Sequence, residues 1–288
     1  MKTYRISWGD HTLELGKRTR VMGILNVTPD SFSDGGHFFK HDNAVAQGEK
    51  LAEAGADIID IGGESTRPFS EPISDEEEAR RVAPVIESLA KRVSVPISVD
   101  TTKAAVATRA IDAGASIIND ISSLRVDPEL ADVAVKFDVP IILMHMKGTP
   151  KTMQLAPTYD DLLGEIIAFF EKVMADAEAR GIPKSRVIID PGIGFGKTVR
   201  DNLLLIRELG RLEPLDVPIL VGSSRKSFIR NILKDEDETD ISPELPEVET
   251  GTQASVAASI LNGAHIVRVH NVANTLTTVK IIDAIRES

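Results

Sequence analysis

DAGASIIND, residues 112–120, contains within one short stretch the unit that decides the fold. The glycine of DAGAS is placed to end a helix, and the apolar residues after it begin a strand that closes on Asn119 and Asp120. The segments EAGAD (53–57) and LNGAH (261–265) have the same glycine in front of another apolar run. The repetition predicts helices that alternate with strands.

Apolar runs of strand length and amphipathic stretches of helical length alternate along all 288 residues. This alternation is typical of a parallel sheet, and eight such units predict an α/β fold, a single (β/α)8 TIM barrel. An open doubly wound sheet is the alternative. The predicted strands lie near Val21–Asn26, Asp57–Ile61, Ile97–Asp100, Ile117–Asn119, Pro140–His145, Val187–Asp190, Pro218–Gly222 and His265–His270.

Residues 1–20 precede the first unit, and YRISWGDHTLEL within them alternates apolar and polar residues on both sides of Gly9 and Asp10. This pattern predicts an N-terminal β-hairpin that borders or plugs the barrel. No linker interrupts the repeat, so we predict one domain over residues 1–288.

The composition argues against a membrane protein, a disulfide-bonded protein and a nucleic-acid-binding protein. No apolar stretch approaches the roughly 20 residues that span a bilayer, and the chain has no Cys, which excludes disulfides and thiolate chemistry. We therefore expect a soluble, cytoplasmic protein with no membrane partner. No basic stripe predicts a nucleic-acid partner.

The net charge of −11 is concentrated in one segment. Residues 235–249 hold eight carboxylates and no Lys or Arg, and removing these eight charges leaves −3 for the rest of the chain. This acidic segment, residues 235–249, contains Pro243 and Pro246 and lacks helical periodicity, which predicts a solvated, mobile loop insertion.

Polar residues stand at the downstream tips of the predicted strands: Asn26, Asp100, Asn119, Asp120, His145, Asp190 and His270. The carboxyl ends of barrel strands meet at one end of the barrel, so these side chains are expected to line a single pocket, as in an enzyme.

Asp100, Asn119 and Asp190 are the most informative set among them. Two carboxylates and an amide suit the guanidine-like N–H edge of a flat heterocycle such as a pterin, because one carboxylate accepts two parallel N–H bonds. The alternative is that each Asp caps the helix that follows its strand, as Asp100 could do before TTKAA.

Two loops after the first strands carry candidate phosphate and metal ligands. In NVTPDSFSDGG (26–36), Asn26 and Asp34 could hold Mg²⁺ together with substrate phosphates, and Phe32 could cover a ligand. In GGESTRP (62–68), Thr66 offers a hydroxyl and Arg67 could clamp a phosphate. The alternatives are an ordinary βα loop and a structural pair between Glu64 and Arg67.

Three later segments complete the candidate site. SSRKS (223–227) opens a helix, a place that favours anions, and Lys226 adds a positive charge. Arg268 and His270 alternate with Val269 and so face the same side of the last strand, which suits a pyrophosphate.

The remaining candidates offer contact surface for a ring. DPGIGFGKT (190–198) fails the P-loop pattern because Pro191 stands where its first Gly is required, and we instead expect Phe195 to stack on a ligand. Met144, in LMHMKGTP (143–150), could pad a flat ligand, with core packing as the alternative.

The motifs MGILNVTPDSFSDGG, GGESTRP, SVDT, NDIS, LMHMKGTP, DPGIGFGK, SRKS and RVH occur in this order over nearly the whole chain. Together they closely resemble the dihydropteroate synthase family of folate biosynthesis, the target of sulfonamides. The resemblance implies a barrel enzyme, commonly a homodimer. It would join 6-hydroxymethyl-7,8-dihydropterin diphosphate to p-aminobenzoate, releasing pyrophosphate and requiring Mg²⁺.

The resemblance also implies roles for particular positions. Pterin would be bound by Asp100, Asn119, Asp190 and Lys226. Diphosphate would be bound by Arg67, Arg268 and His270. Mg²⁺ would be bound by Asn26 with help from Asp34. The p-aminobenzoate pocket would be shaped by Thr66, Pro68, Ser224 and Phe32. The groups expected to act in catalysis are Arg67, Lys226, Arg268, His270 and Asp34.

Two departures from the family pattern are visible. Phe69 stands where the family usually has Gly, which puts the shape of the second loop and sulfonamide access in question. The acidic segment is longer than is typical. The competing functions are methyl transfer from methyltetrahydrofolate to a corrinoid protein and a non-catalytic pterin-binding paralogue, neither of which needs a diphosphate clamp.

Overall fold

The computed structural model describes residues 1–28, 37–65, 70–153, 155 and 157–288, with the backbone alone for residues 37–40. Eight parallel strands form one sheet in the order β8-β7-β6-β5-β4-β3-β10-β9. Their bounds are β3 Arg20–Asn26, β4 Ile58–Gly62, β5 Ile97–Asp100, β6 Ile117–Asp120, β7 Ile141–Met144, β8 Val187–Asp190, β9 Leu220–Val221 and β10 Ile266–Val269.

A parallel bridge between Ile189 and Ile219 joins the two ends of this sheet, and the Ile189 N–H donates to the Pro218 carbonyl at 3.0 Å. The sheet is therefore closed, and the predicted (β/α)8 barrel is confirmed. Strands such as β4 and β7 are buried along their whole length because helices cover one face and the barrel interior the other.

The helices follow the strands as predicted: α1 His37–Glu53, α2 Asp75–Ala90, α3 Ala104–Asp112, α4 Leu130–Phe137, α5 Leu162–Ala179, α6 Val199–Arg207, α7 Ser227–Leu233, α8 Pro246–Leu261 and α9 Val272–Glu287. The predicted glycine caps are confirmed. Gly55, Gly114 and Gly263 have φ values of +95°, +115° and +112°. None of the described helices has the length and apolar content that a bilayer-spanning helix requires.

The N-terminal hairpin consists of β1 (Tyr4–Trp8) and β2 (His11–Leu15), which pair antiparallel around the predicted turn. It lies at the amino-terminal end of the barrel, where the Lys2 carbonyl bonds to His265 Nε2 at 3.1 Å and Ser7 accepts a hydrogen bond from Arg186. This end of the barrel is covered, which leaves the carboxyl ends of the strands as the place for a pocket.

The acidic segment is exposed at residues 235–240, as in the solvated loop that its composition predicts, but its later residues make specific contacts. Helix α8 begins at Pro246, so its last residues are helical, and Ile241 and Leu245 pack against the hydrophobic core. Glu244 and Asp240 form ion pairs with Arg225 and Arg230.

Candidate active site

The strand ends bring the predicted polar residues to one level of the barrel. Asn26, Gly62, Asp100 and Asn119 are in register on the adjacent strands β3, β4, β5 and β6. Parallel strands that hydrogen-bond in register place equivalent positions side by side, so these side chains share one end of the barrel.

Arg268 is the centre of a buried charge network on this level. Its Nε donates to Asp60 Oδ2 at 2.6 Å, and its Nη2 donates to Asp100 Oδ2 at 2.7 Å. Asn119 Nδ2 donates to the same oxygen of Asp60 at 2.9 Å. Asp60 accepts both bonds, so it fixes the orientation of the guanidinium and of the amide.

The electrostatics follow from two buried carboxylates that share one cation. Burial raises the pKa of Asp100 to about 7; the charge of Arg268 opposes this rise, and the charge of Asp60 adds to it. Burial acts to lower the pKa of Arg268, but Asp60 and Asp100 outweigh this effect and raise it. The arginine therefore stays charged, whereas Asp100 can gain a proton near neutral pH.

Asp190 and Lys226 form the second charged part of the pocket. Burial raises the pKa of Asp190, with Lys226 opposing, and burial lowers the pKa of Lys226 to about 8, with Asp190 opposing. Asp190 Oδ1 accepts the Gly192 N–H at 2.7 Å, and the Lys226 ammonium donates to the Ile193 carbonyl. That ammonium also lies 4.3 Å from the ring centroid of Phe195.

Ser224 and His270 meet where the SSRKS loop approaches the end of β10. The Ser224 hydroxyl lies 3.0 Å from His270 Nδ1, and it accepts the His270 N–H at 3.3 Å. The contact ties the loop that carries Lys226 to the strand that carries Arg268.

An apolar surface lies beside these polar groups. Ile121, Met144, Met146 and Met153 form a small buried cluster, and the half-buried Phe195 packs against it. Met144 is thus both a packed residue and part of the wall beside Asp190, its register partner across β7 and β8.

Two residues behind the pocket were missed as functional candidates. Lys197 is 3% exposed, and its ammonium donates to the Gly192 and Phe195 carbonyls at 3.0 and 3.1 Å and lies 3.0 Å from His145 Nδ1. It holds the loop that presents Phe195. Asp60 was missed as well, although a carboxylate inside the apolar run IIDIG was a usable signal.

The structure also decides between several of the alternatives. Helix α3 is capped at Lys103 and not at Asp100, so Asp100 is not a helix cap. Glu64 pairs with Lys103 at 2.5 Å, while the alternative pair between Glu64 and Arg67 lies outside the described residues. Both carboxylate oxygens of Asp120 accept backbone N–H groups, from Ser122 and Leu124, so this residue shapes its own loop.

Five predicted site residues lie outside the described part of the chain: Phe32, Asp34, Thr66, Arg67 and Pro68. Phe69 lies outside it too. Their roles stay predictions. The described candidates that the structure brings together are Asp100, Asn119, Asp190, Lys226, Arg268, His270, Ser224, Phe195 and Met144, while Asn26 shares their strand level.

Asn26 ends β3, is half-buried and offers an amide oxygen of the kind that Mg²⁺ takes. No cluster of three or more acidic or histidine ligands occurs among the residues that the structure describes. One amide oxygen fits Mg²⁺, which keeps several waters and takes few protein ligands when substrate phosphates supply the rest.

Comparison with known proteins agrees with this geometry. The sequence profile of the family described as "Pterin binding enzyme" matches residues 22–270. A dihydropteroate synthase of Synechocystis sp. is 46% identical over 277 residues, which cover 96% of this chain and 93% of that protein.

Two solved structures of Xanthomonas albilineans dihydropteroate synthase are similar over almost their full length. The one with 4-aminobenzoic acid has a TM-score of 0.90 and 44% identity and covers 100% of both chains. The one in complex with 7,8-dihydropteroate has a TM-score of 0.86 and 42% identity and covers 99% of both chains.

Acid should destabilise the fold through His145. Burial and the charge of Lys197 lower its pKa to about 2, well below the ordinary value of 6.5. Between these values the unfolded chain binds a proton that the folded chain does not, so stability falls as the pH is lowered below 6.5. We expect a loss of about 1 kcal/mol per pH unit from this group.

Urea unfolding at pH 6.5, 5.5 and 4.5 tests this expectation against His145→Asn, whose amide oxygen can accept from Lys197 without titrating. The free energy of unfolding should fall more steeply with acid in the wild type than in the variant. Parallel curves for the two proteins would show that His145 is not responsible.

Proposed function

The chain belongs to the dihydropteroate synthase family of pterin-binding enzymes, and we propose that its barrel pocket binds 6-hydroxymethyl-7,8-dihydropterin diphosphate and p-aminobenzoate. The enzyme is a transferase. It forms a bond between the pterin methylene carbon and the aromatic amine, giving 7,8-dihydropteroate and pyrophosphate. The observation that carries this proposal is the network of Asp60, Arg268, Asp100 and Asn119, with Asp190 and Lys226 beside it.

Recognition of the pterin follows from the acceptors that this network leaves available. Asp100 uses Oδ2 for Arg268, Asp190 uses Oδ1 for Gly192, and Asn119 uses its NH₂ group for Asp60. Each side chain therefore keeps an oxygen that can accept an N–H of the guanidine-like pterin edge. An apolar isostere without such donors would leave the buried oxygens unsatisfied, which disfavours its binding.

The faces of the ring have matching partners. Met144 and Phe195 supply polarizable and aromatic surface, and the Lys226 ammonium over Phe195 keeps a positive charge beside the ring system. Lys226 also lies close enough to Asp190 for the two charges to shift each other's pKa.

We place the diphosphate on the side of the pocket where Arg268 and His270 lie. Arg268 uses Nε and Nη2 for the carboxylates, and among the described residues its Nη1 has no acceptor. We assign Arg268 Nη1 and the His270 ring to the diphosphate, together with Arg67. Ser224 adjoins His270 and would lie beside p-aminobenzoate with Thr66, Pro68 and Phe32, the Lys226 stem alongside.

Charge development explains what these groups do in the reaction. The bond from the methylene carbon to the diphosphate oxygen breaks ahead of much bonding to the amine, so positive charge spreads over the pterin while negative charge grows on the leaving group. Preorganised carboxylates, Asp100 and Asp190, stabilise the cation, and Arg268 and His270 stabilise the anion. The amine lone pair then forms the carbon–nitrogen bond, and the nitrogen transfers its extra proton to water.

Asn26 would hold Mg²⁺, with Asp34 as a second ligand. When bound, this ion would neutralise charge on the diphosphate oxygens and so favour their departure. The support is the amide at the strand end, in register with the pocket.

A homodimer is also part of the proposal. Helices α7, α8 and α9 are neighbours in the fold and expose large apolar side chains: Ile232, Leu233, Leu261, Ile281 and Ile285. Ile281 and Ile285 are 59% and 55% exposed and stand one turn apart on α9. Exposed apolar surface of this kind marks protein contacts, and a second copy of the chain is the partner we propose.

The two competing functions are less well supported. Methyl transfer to a corrinoid protein and a silent pterin-binding paralogue have no use for Arg268 Nη1 and His270 on the diphosphate side. The similar Xanthomonas structures contain 4-aminobenzoic acid and 7,8-dihydropteroate, substrate and product of the synthase reaction. The cytoplasmic location and the single-domain organisation stay predictions.

Release of pyrophosphate from the pterin diphosphate should require p-aminobenzoate. Release without the amine would indicate hydrolysis, and no release at all would indicate a binding protein.

Asp190→Asn and Lys226→Ala should weaken pterin binding at least about thirtyfold, because each leaves a buried charge without its partner.

Isothermal titration calorimetry with the pterin substrate measures this loss, and far-UV circular dichroism checks that both variants fold. Asp132→Asn, on the exposed surface of α4, removes a carboxylate elsewhere and serves as the control. Unchanged pterin affinity in both pocket variants would refute the assignment of these residues.

Mg²⁺ should strengthen pyrophosphate binding through Asn26. We expect the ion to raise the affinity for pyrophosphate in the wild type and to raise it about tenfold less in Asn26→Ala, because an oxygen ligand is lost. Calorimetric titrations with and without Mg²⁺ provide the comparison. An equal gain in both proteins would exclude Asn26 as a ligand.

The chain should sediment at about twice its mass of 31.2 kDa. The double variant Ile281→Lys/Ile285→Lys should be monomeric, since two buried charges at an interface are costly. Val126→Lys, at another exposed apolar residue, is the control. A monomeric wild type would contradict the dimer, and a dimeric double variant would contradict the α9 face.

A further inference from the structure

Arg225 occupies a backbone position that favours glycine. Residues 223–226 form a turn closed by the Lys226 N–H, which donates to the Ser223 carbonyl at 3.3 Å. Arg225 is the third residue of this turn and has a φ of +59°. Gly adopts a positive φ at this turn position without steric cost, whereas residues with a Cβ adopt it at a cost in energy. Surrounding contacts must therefore hold Arg225 in place.

The turn matters because its neighbours belong to the pocket. Ser224, before Arg225, bonds to His270, and Lys226, after it, contacts Ile193 and Phe195. The hydrogen bonds of Arg225 go instead to Glu244, Thr252 and Arg230. If its φ changed, the backbone direction on both sides would change, and Ser224 and Lys226 would move with it.

The acidic segment supplies the contacts that hold Arg225. Both carboxylate oxygens of Glu244 accept from Arg225 Nη1, at 2.7 and 2.8 Å. Thr252, just beyond the segment in α8, accepts the Arg225 N–H at 3.1 Å. The side chain and the amide of Arg225 are thus fixed from the same direction.

Arg230 completes the arrangement from α7. Its Nη1 donates to the Arg225 carbonyl at 2.7 Å, while Nε and Nη2 each donate to Asp240 at 2.9 Å. The Arg230 side chain is 18% exposed and the Asp240 side chain 55% exposed, so this two-bond pair is shielded from solvent on the arginine side only. Asp240 therefore fixes the Arg230 guanidinium, which in turn binds the Arg225 carbonyl.

We propose that the acidic segment is a clamp in which Glu244 and Asp240 keep Arg225 left-handed and thereby position Lys226 and Ser224 for the two substrates. Both carboxylates are positioning residues, since they touch neither substrate site. This inference rests on the proposed function only for the identity of the substrates. The physical claim concerns the geometry of the SSRKS turn.

The first test removes the clamping charges. Glu244→Gln/Asp240→Asn should raise the Kd for the pterin substrate and the KM for p-aminobenzoate about threefold to tenfold, while kcat stays within about twofold because no reacting group is lost. Glu236→Gln/Asp237→Asn removes the same charge from exposed residues of the same segment and should match the wild type. Equal constants for both double variants would overturn the clamp.

The second test separates conformation from charge at Arg225. Arg225→Gly and Arg225→Ala delete the same ion pair, but only Gly adopts the positive φ without strain. Pterin affinity should stay within about twofold of the wild type for Gly and fall at least about threefold for Ala. Equal affinities for Gly and Ala, whether both normal or both weakened, would refute a conformational role.

A combined variant tests whether the carboxylates act through the Arg225 conformation. In the Arg225→Gly background, Glu244→Gln/Asp240→Asn should cause no further loss of pterin affinity, because the turn no longer needs the clamp. A further loss would show that the carboxylates act by another route. Pterin affinity is measured by calorimetry, so a wild type without synthase activity would defeat the proposed function while leaving the clamp testable.

Discussion

Two buried carboxylates share one guanidinium, and the site is organised around this constraint. Asp60 is fully buried and the Asp100 side chain is 11% exposed, so neither could carry its charge there without a partner. Arg268 bonds to both, yet one positive charge cannot compensate two negative ones. Burial raises the pKa of Asp100, and the remaining charge imbalance with Asp60 adds to this rise. A ligand that donates N–H bonds relieves it, which is why a nitrogen-rich heterocycle suits this pocket.

The carboxylates that bind the pterin before the reaction are also the groups that can stabilise the charge it gains during the reaction. The carboxylates Asp60, Asp100 and Asp190 lie in the pocket with Arg268 and Lys226, so negative charge adjoins a ligand that gains positive charge there. A pterin that loses its diphosphate gains such charge. In the proposed mechanism, the protein stabilises this cation with groups already held in place by the fold, and no covalent bond to the enzyme is required.

The barrel and the polar strand tips could be predicted because both depend on local pattern. Asp60 had a sequence signal, as a carboxylate inside the apolar run IIDIG, but its partner could not be predicted. The acidic clamp could not be predicted either, because its composition misleads. Asp60 lies inside an apolar run, and its partner Arg268 is 208 residues away in the sequence. The acidic segment has the composition of a solvated loop, yet Arg225 and Arg230 neutralise two of its carboxylates and Ile241 reaches the core. Contacts between residues that are far apart in the sequence determine these structures, and the spacing of apolar residues gives no information about such contacts.

The glycine-rich stretch DPGIGFGKT shows how a sequence that suggests phosphate binding can serve packing instead. A Cβ at Gly192 would lie 1.9 Å from the His145 carbonyl oxygen, and one at Gly194 would lie 2.8 Å from Lys226 Cδ. Both glycines also have positive φ. Their absent side chains let the loop touch the β7 end on one side and the Lys226 stem on the other. Lys197 then bonds to the carbonyls of Gly192 and Phe195, so the loop fixes Lys226, Phe195 and Asp190 relative to one another. These glycines are thus needed for the close packing that positions the Lys226 ammonium and the Asp190 carboxylate relative to each other.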